Sequence, residues 1–234
     1  MLILGFDASA VAGSCALCEI SGEKITLISE SFVNTKLTHS QTLLPMTENM
    51  LKSVGINISN VELIAVTAGP GSFTGIRIGV SAAKGLAYAL DIPCAGVSTL
   101  HSLAFNCLGT EGIVCAVMDA RCSQFYNALF SVKGSNVTRI TPDRAVSADE
   151  LRSELINNYG GCKITYVGDG AELAYNTLND VRAELAPVGT RFQRASSVCL
   201  AAPQYDQISA RKLLPVYLRL PQAERERLAK INKE

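Results

Sequence analysis

The sequence predicts an α/β protein made of two lobes that repeat one element order, βββαβα. Three observations predict it. Each half opens on an almost wholly apolar strand that ends in an aspartate, Asp7 in the first half and Asp119 in the second. Each half places two more strand-like runs before its first helix. Each half carries a glycine-bearing turn after its fourth strand, the run from Gly69 to Gly75 and then Gly168-Asp169-Gly170. Shared order without obvious sequence repetition points to a duplicated fold.

In the first half, residues 2–7 read as a strand buried on both faces,. Strands over 14–20 and 25–33 follow, joined by a turn at Ser21-Gly22-Glu23,. A helix is expected from Thr38 to about Val54. Thr38 and Gln41 fit a capping box, and Leu43, Leu44, Met50, Leu51 and Val54 form one apolar stripe,. Pro45 should kink this helix or delay its regular part,. A strand over 61–68, the glycine loop, a helix to about Leu90 and a strand over 94–98 complete the half. In the second half, strands are expected over 113–119, 124–132 and 136–140. A helix follows from a second capping box, Ser147 with Glu150, to about Asn158, then a strand over 163–167 and a helix over about 171–180,. These elements divide the chain into an N-terminal lobe, 1–100, and a C-terminal lobe, 101–214. The charged, helix-prone segment 215–234 is expected to pack back on the first lobe.

Composition narrows the function classes. With 234 residues, 48% hydrophobic and 18% charged, the chain can bury a real core and is not disordered,. Basic and acidic residues balance at 21 each, so the chain lacks the basic excess of a protein that grips nucleic acid alone,. Met1 to Asp7 has no basic flank, and Asp7 interrupts the apolar run too early for a secretory leader,. No run reaches the roughly 18 apolar residues of a membrane span. A cytoplasmic protein with no membrane partner is the expectation. The eight cysteines are scattered through apolar segments and read as reduced core thiols,. Cys15 and Cys18 form a lone C-x-x-C on a strand, where residues three apart face opposite ways, which disfavours a shared metal,.

The glycine loop, Gly69-Pro70-Gly71-Ser72-Phe73-Thr74-Gly75, satisfies neither common phosphate motif. Gly75 is followed by Ile76 where a P-loop needs lysine, and Thr74 stands where the dinucleotide fingerprint needs its third glycine,. Gly69 and Gly71 still allow close backbone approach. Ser72 or Thr74 can cap the next helix, whose free amides form a natural anion site. Gly75, Gly79, Ala83 and Ala87 recur every four residues on that helix. This row of small side chains admits a close neighbour, either the protein's own sheet or a helix of a second subunit.

Aspartate turns facing each other across a cleft are the phosphate-binding layout of the actin/hexokinase superfamily. The chain resembles that superfamily at this level, which implies an actin/hexokinase-like (ASKHA) fold. The corresponding phosphate site, in vestigial form, is Asp7, Ser9, Gly71, Ser72, Asp119, Gly168 and Gly170. Longer stretches are more specific. They are Ile3 to Ser9, His39-Ser40-Gln41-Thr42-Leu43-Leu44-Pro45, Ala68 to Gly79, Gly96 to Leu100, Met118-Asp119-Ala120-Arg121, and Pro215-Val216-Tyr217-Leu218-Arg219. Together they are similar to the TsaB (YeaZ) family.

The resemblance implies a bacterial protein needed for threonylcarbamoyladenosine, the modification beside the tRNA anticodon. It implies a platform that pairs directly with the catalytic paralogue TsaD, works with the ATPase TsaE, and meets tRNA only through that complex. An exposed partner-binding helix face would favour a homodimer when the chain is alone. The resemblance also implies no catalysis and no required cofactor in the isolated chain, with ATP or ADP at the partner interface. The family interface uses the first two helices, here about 38–54 and 74–90, which nominates His39, Leu43, Met50, Gly75, Gly79, Ala83 and Ala87. TsaD holds a metal with two histidines one helical turn apart. By the resemblance those positions fall here on Thr99 and Leu103, and the two histidines present are His39 and His101. The competing reading is an independent nucleotide hydrolase or phosphotransferase using Asp7 and Asp119 around a metal-bound phosphate. A protease is a third; no G-x-S-x-G elbow or zinc motif supports it.

Overall fold

Ile3, Leu4 and Phe6 are fully buried because the first strand runs down the middle of a sheet covered on both faces. The computed structural model describes residues 1–22, 24–35 and 37–219. In it, β1 (Leu2–Asp7) pairs antiparallel with β2 (Ala12–Ser21), which pairs with β3 (Lys24–Asn34). On its other side β1 pairs parallel with β4 (Leu63–Gly69), which pairs with β5 (Cys94–Ser98), so the sheet order is β3-β2-β1-β4-β5. The second half repeats the plan. β6 (Glu111–Asp119) sits between the antiparallel β7 (Gln124–Lys133) and the parallel β10 (Ile164–Val167). β8 (Asn136–Arg139) and β11 (Ala183–Leu185) close the edges, and the short β9 (Arg144–Ser147) also pairs with β7. Two sheets with this same order form an actin/hexokinase-like α/β fold.

Five layers result. Outside the first sheet lie α1 (His39–Ser53) and α2 (Phe73–Leu90), packed on Leu4, Phe6, Ile64 and Val66. Outside the second lie α4 (Ala148–Tyr159) and α5 (Ala171–Thr177). Between the sheets, α7 (Ala195–Ala201) covers Ile3, Ala16, Leu63 and Ala65, while α3 (Thr99–Phe105) covers Val114, Ala116 and Phe130. A one-turn helix, α6 (Val188–Arg191), precedes α7. The residues of α7, which the sequence assigns to the second lobe, thus lie against the first sheet. Both middle-layer helices are almost wholly buried, so they carry no amphipathic period and the sequence reading passed over them,.

Local chemistry explains most boundaries. The Ser147–Glu150 capping box forms as expected, with both reciprocal bonds present,. The Thr38–Gln41 box does not form. The Thr38 hydroxyl turns to the Ser40 hydroxyl at 3.4 Å, and only the Thr38 carbonyl caps, accepting from the Gln41 amide. Pro45 lies inside α1 without delaying its start at His39. Leu44 departs from the expected stripe and is exposed, with Thr47 buried and Met46 packed on the core instead. The C-x-x-C residues do face opposite ways: Cys15 lies in the core under α1 and Cys18 in the core under α7. Cys122 and Cys162 are exposed, unlike the other six cysteines.

The small-residue row on α2 faces inward. A Cβ added at Gly75 would sit 2.0 Å from the Ala8 carbonyl oxygen, and one at Gly79 would touch Ala8 and Val66. Ala83 and Ala87 are buried in the same core. The nomination of Gly75, Gly79, Ala83 and Ala87 as partner contacts is therefore corrected: the protein's own sheet occupies that face. Met50 is likewise a core residue, 2% exposed, whereas Leu43, also 2% exposed, packs in the core and reaches the surface between α1 and α2. Gly75→Ala should cost several kcal/mol by overpacking. Gly85→Ala, on the same helix with open space at its Cβ, should gain about 0.5–1 kcal/mol. Urea denaturation of the two variants checks the pair, and equal effects would contradict this packing.

Candidate functional site

Two concave features meet at the start of α2. The first is a cleft of about 520 Å³ between the lobes. One wall is Ser9 to Val11 and Pro70 to Thr74, the opposite wall is Met118 to Arg121 with Tyr126 and Asp169, and Val216 to Arg219 form a third side. The second is a groove of about 570 Å³ between α1 and α2 on the outer surface. Leu43, Leu44, Phe73, Ile78 and Ala82 give it apolar walls, and His39, Ser40, Thr74, Arg77 and Ser81 edge it.

The glycine loop is shaped by its neighbours within the chain. Gly69 has φ of 137°, and a Cβ there would lie 2.1 Å from the Val216 carbonyl oxygen,. At Gly71 a Cβ would lie 2.4 Å from the Ser9 carbonyl oxygen, which also accepts from the Ser72 amide at 2.7 Å. The Ser72 hydroxyl caps α2 by accepting from the Gly75 amide at 3.2 Å,. On the opposite lobe, Gly168 and Gly170 press against the end of β6 in the same way.

The nominated phosphate-site residues are partly assembled. Ser9, Gly71, Ser72 and Asp119 line one cleft, whereas Asp7, Gly168 and Gly170 lie behind it. Asp7 is fully buried. Its Oδ1 accepts from the Ser9 amide at 2.8 Å and the Ser9 hydroxyl at 2.7 Å, closing the turn after β1,. Its Oδ2 has no partner among the described residues. Burial pushes the carboxyl up to about 7; the Ser9 bonds oppose this and the Asp169 charge adds to it,. Asp169, which the sequence reading named only within its turn, lines the cleft and accepts from the Gln193 amide at 2.7 Å. Burial raises it to about 6, with the Asp119 charge contributing. Asp119 is exposed, and its Oδ1 accepts from the Arg121 amide at 2.7 Å. The backbone from Arg121 to Ser123 is left-handed at three consecutive residues, which folds this turn sharply at the cleft,.

The histidines lie elsewhere. His39 Nε2 is 2.7 Å from the Ala10 carbonyl oxygen, beside the groove. His101 lies in the middle layer, with Nδ1 at 2.8 Å from the Tyr205 hydroxyl and its ring stacked on Phe130. Burial, with the nearby Arg139 charge, lowers His101 to about 4. Thr99 and Leu103 are fully buried. Among the described residues, no cluster of three or more histidine, cysteine or carboxylate side chains is placed to hold a metal.

Comparison with known proteins places this geometry. The family described as TsaD, tRNA N6-adenosine threonylcarbamoyltransferase, matches residues 28–226. The tRNA threonylcarbamoyladenosine biosynthesis protein TsaB of Bacillus subtilis is 32% identical over 96% of both chains. The chain belongs to the TsaB (YeaZ) family. The Escherichia coli TsaB is 32% identical over 73% of this chain and 72% of its own. YeaZ from Pseudomonas aeruginosa superposes with a TM-score of 0.75 at 25% identity, covering 93% of this chain and 99% of that one. The 32% identical relative and the YeaZ fold together cover both sheets, the cleft and the outer helices.

Several residues at these features escaped the sequence reading. Phe73, Arg77, Tyr217 and Arg219 sit inside family-like stretches, yet nothing in spacing signals that Tyr217 stacks on Phe73 at 4.6 Å. Leu44, Ile78, Ser81 and Ala82 each lie one residue from a buried position on α1 or α2, and only the place of the sheet decides which side of each helix faces out,. Asp7 offers a direct test. A carboxyl whose folded value is raised from 3.8 to about 7 gives stability that is present below the lower value and lost as pH rises through the upper one,. Asp7→Asn should therefore match the parent protein near pH 4. It should exceed the parent at pH 8 by on the order of 4 kcal/mol, read as thermal or urea stability against pH.

Proposed function

We propose that this TsaB-family chain is a non-catalytic partner subunit in threonylcarbamoyladenosine formation on tRNA. It pairs directly with TsaD, the threonylcarbamoyltransferase, and works with TsaE through the assembled complex. The observation that carries the reading is the outward groove between α1 and α2. Exposed apolar surface on one face of a protein with otherwise well-filled layers marks a contact surface. Leu44 is 46% exposed at its edge, beside Ile78 and Ala82 on the groove wall. The resemblance assigned this helix pair to the interface. The face now proposed is His39, Leu44, Ile78, Ser81 and Ala82, in place of the inward row.

The same groove accounts for self-association of the isolated chain, since an apolar face left without its partner pairs with a copy of itself. The balanced charge fits a subunit that meets tRNA through the complex,. No described helix is long and apolar enough to cross a membrane; a cytoplasmic site of action belongs to this reading through its tRNA substrate. ATP or ADP belongs, in this reading, to the assembled interface. In the free chain Gly71 packs on Ser9 and the Ser72 backbone amide donates to the Ser9 carbonyl, so the loop backbone is turned toward its own chain.

One observation favours the second reading, an independent nucleotide hydrolase or phosphotransferase. A buried carboxyl with a raised pKa and an unpartnered oxygen is the kind of group active sites retain,. ATP turnover by the isolated chain, lost in Asp7→Ala, would establish it.

The partner reading is tested on the exposed face. Leu44→Arg and Ser81→Arg should leave thermal stability within about 0.5 kcal/mol, as surface changes do. Each should weaken association with cognate TsaD by about 30-fold or more, the cost of a central interface residue, measured by titration calorimetry. The same variants should run as monomers in size-exclusion light scattering and fail to restore threonylcarbamoyladenosine in cells depleted of this protein. Tight TsaD binding by both variants moves the interface off this groove.

A further inference from the structure

Residues 213–219 run as an extended strap along α2, over the glycine loop and across the mouth of the cleft. Three anchors hold it. At its start, Lys84 on α2 donates to the Leu213 carbonyl at 3.0 Å. In the middle, the Val216 amide donates to the Ala68 carbonyl at 2.7 Å, and the Val216 carbonyl fills the space that Gly69 leaves by lacking a Cβ. At its end, the Arg219 guanidinium reaches the other lobe and donates to the Ala120 carbonyl. The strap is thus fastened to both lobes and forms one side of the cleft between them.

Between the middle and end anchors sits an aromatic catch. The Tyr217 ring stacks on Phe73, and the Tyr217 hydroxyl accepts from Arg77 Nε at 2.9 Å. The Arg77 guanidinium in turn lies over the Phe73 ring, 3.9 Å from its centre,. Phe73 and Arg77 also belong to the groove between α1 and α2, and Phe73 and Thr74 line both the groove and the cleft. Arg77 has no carboxylate partner among the described residues. A neutral phenol is a weaker partner for a guanidinium than a carboxylate is. A protein seated in the groove with an acidic or carbonyl group over Arg77 takes from Tyr217 the contacts that hold the strap down.

We propose that the Phe73–Arg77–Tyr217 cluster is a catch that couples the groove to the cleft: a partner bound in the groove releases the strap and opens the cleft. The inference rests on the partner reading above. Coupling of this kind is reciprocal. If the partner loosens the strap, then loosening the strap by other means tightens the partner. Arg219 offers that means, because it anchors the strap's far end in the second lobe and does not line the groove.

The test uses the full-length chain with its cognate TsaD. In Arg219→Ala, the Val216 amide should exchange its hydrogen about tenfold faster or more, and TsaD should bind about fivefold tighter or more. Tyr217→Ala should do the same from the catch itself. Faster exchange with unchanged or weaker TsaD binding overturns the coupling and leaves the partner reading standing. Unchanged exchange in both variants shows that the anchors do not act as one strap and also overturns it. No binding of TsaD by the parent protein or either variant overturns the partner reading, and the coupling with it.

Discussion

Three backbone carbonyls pressed onto three glycines hold this protein's working end together. Ala8 sits on Gly75, Ser9 on Gly71 and Val216 on Gly69. A single methylene at any of these points would push apart two pieces of main chain, which have no rotamer to yield. The first contact sets the distance between α2 and the end of β1, the second shapes the wall of the cleft, and the third seats the strap. The axis of α2, the width of the cleft and the path of the C-terminal segment therefore follow from one set of close approaches. This also explains why the loop resembles phosphate motifs without being one. Its glycines serve contacts inside the chain.

The two buried carboxyls show a different balance. Asp7 closes its turn with one oxygen and leaves the other unpartnered in the interior. Such an arrangement opposes folding at neutral pH. Asp169 stands nearer the cleft, with Gln193 to satisfy one oxygen. Burial raises both; the Asp169 charge adds to the rise at Asp7, and the Asp119 charge to that at Asp169,.

Much of the architecture was legible because local signals agreed with it. The central strands read as unbroken apolar runs, the Ser147–Glu150 box marked a helix start, and the duplicated aspartate turns revealed the two-lobed plan. What was illegible depends on tertiary position. Gly75 and Gly79 look the same whether a sheet or a second protein covers them, and only the location of β1 decides. The seven residues of α3 and of α7 are sequestered on nearly all sides, so periodicity had nothing to report. Leu44 fits the apolar stripe of α1 by spacing but falls at its outer margin. Tyr217 and Arg219 touch residues some 100 or more positions away, Arg77 at a separation of 140 and Ala120 at 99, which no local rule can foresee. The segment 220–234 lies outside the described residues, so the expected packing of that part of the tail has no structural counterpart here.

The middle layer has a consequence for how the chain is made. The inner face of the first sheet, complete in sequence by Ser98, is covered by α7, which begins at Ala195. During synthesis that face must wait, apolar and uncovered, while the whole second sheet emerges from the ribosome. Neither sheet is a finished folding unit until the chain has nearly ended. The nascent protein therefore carries a sheet face open to aggregation and to chaperones while the chain between Ser98 and Ala195 is made,. The two halves, though duplicated in plan, mature as one.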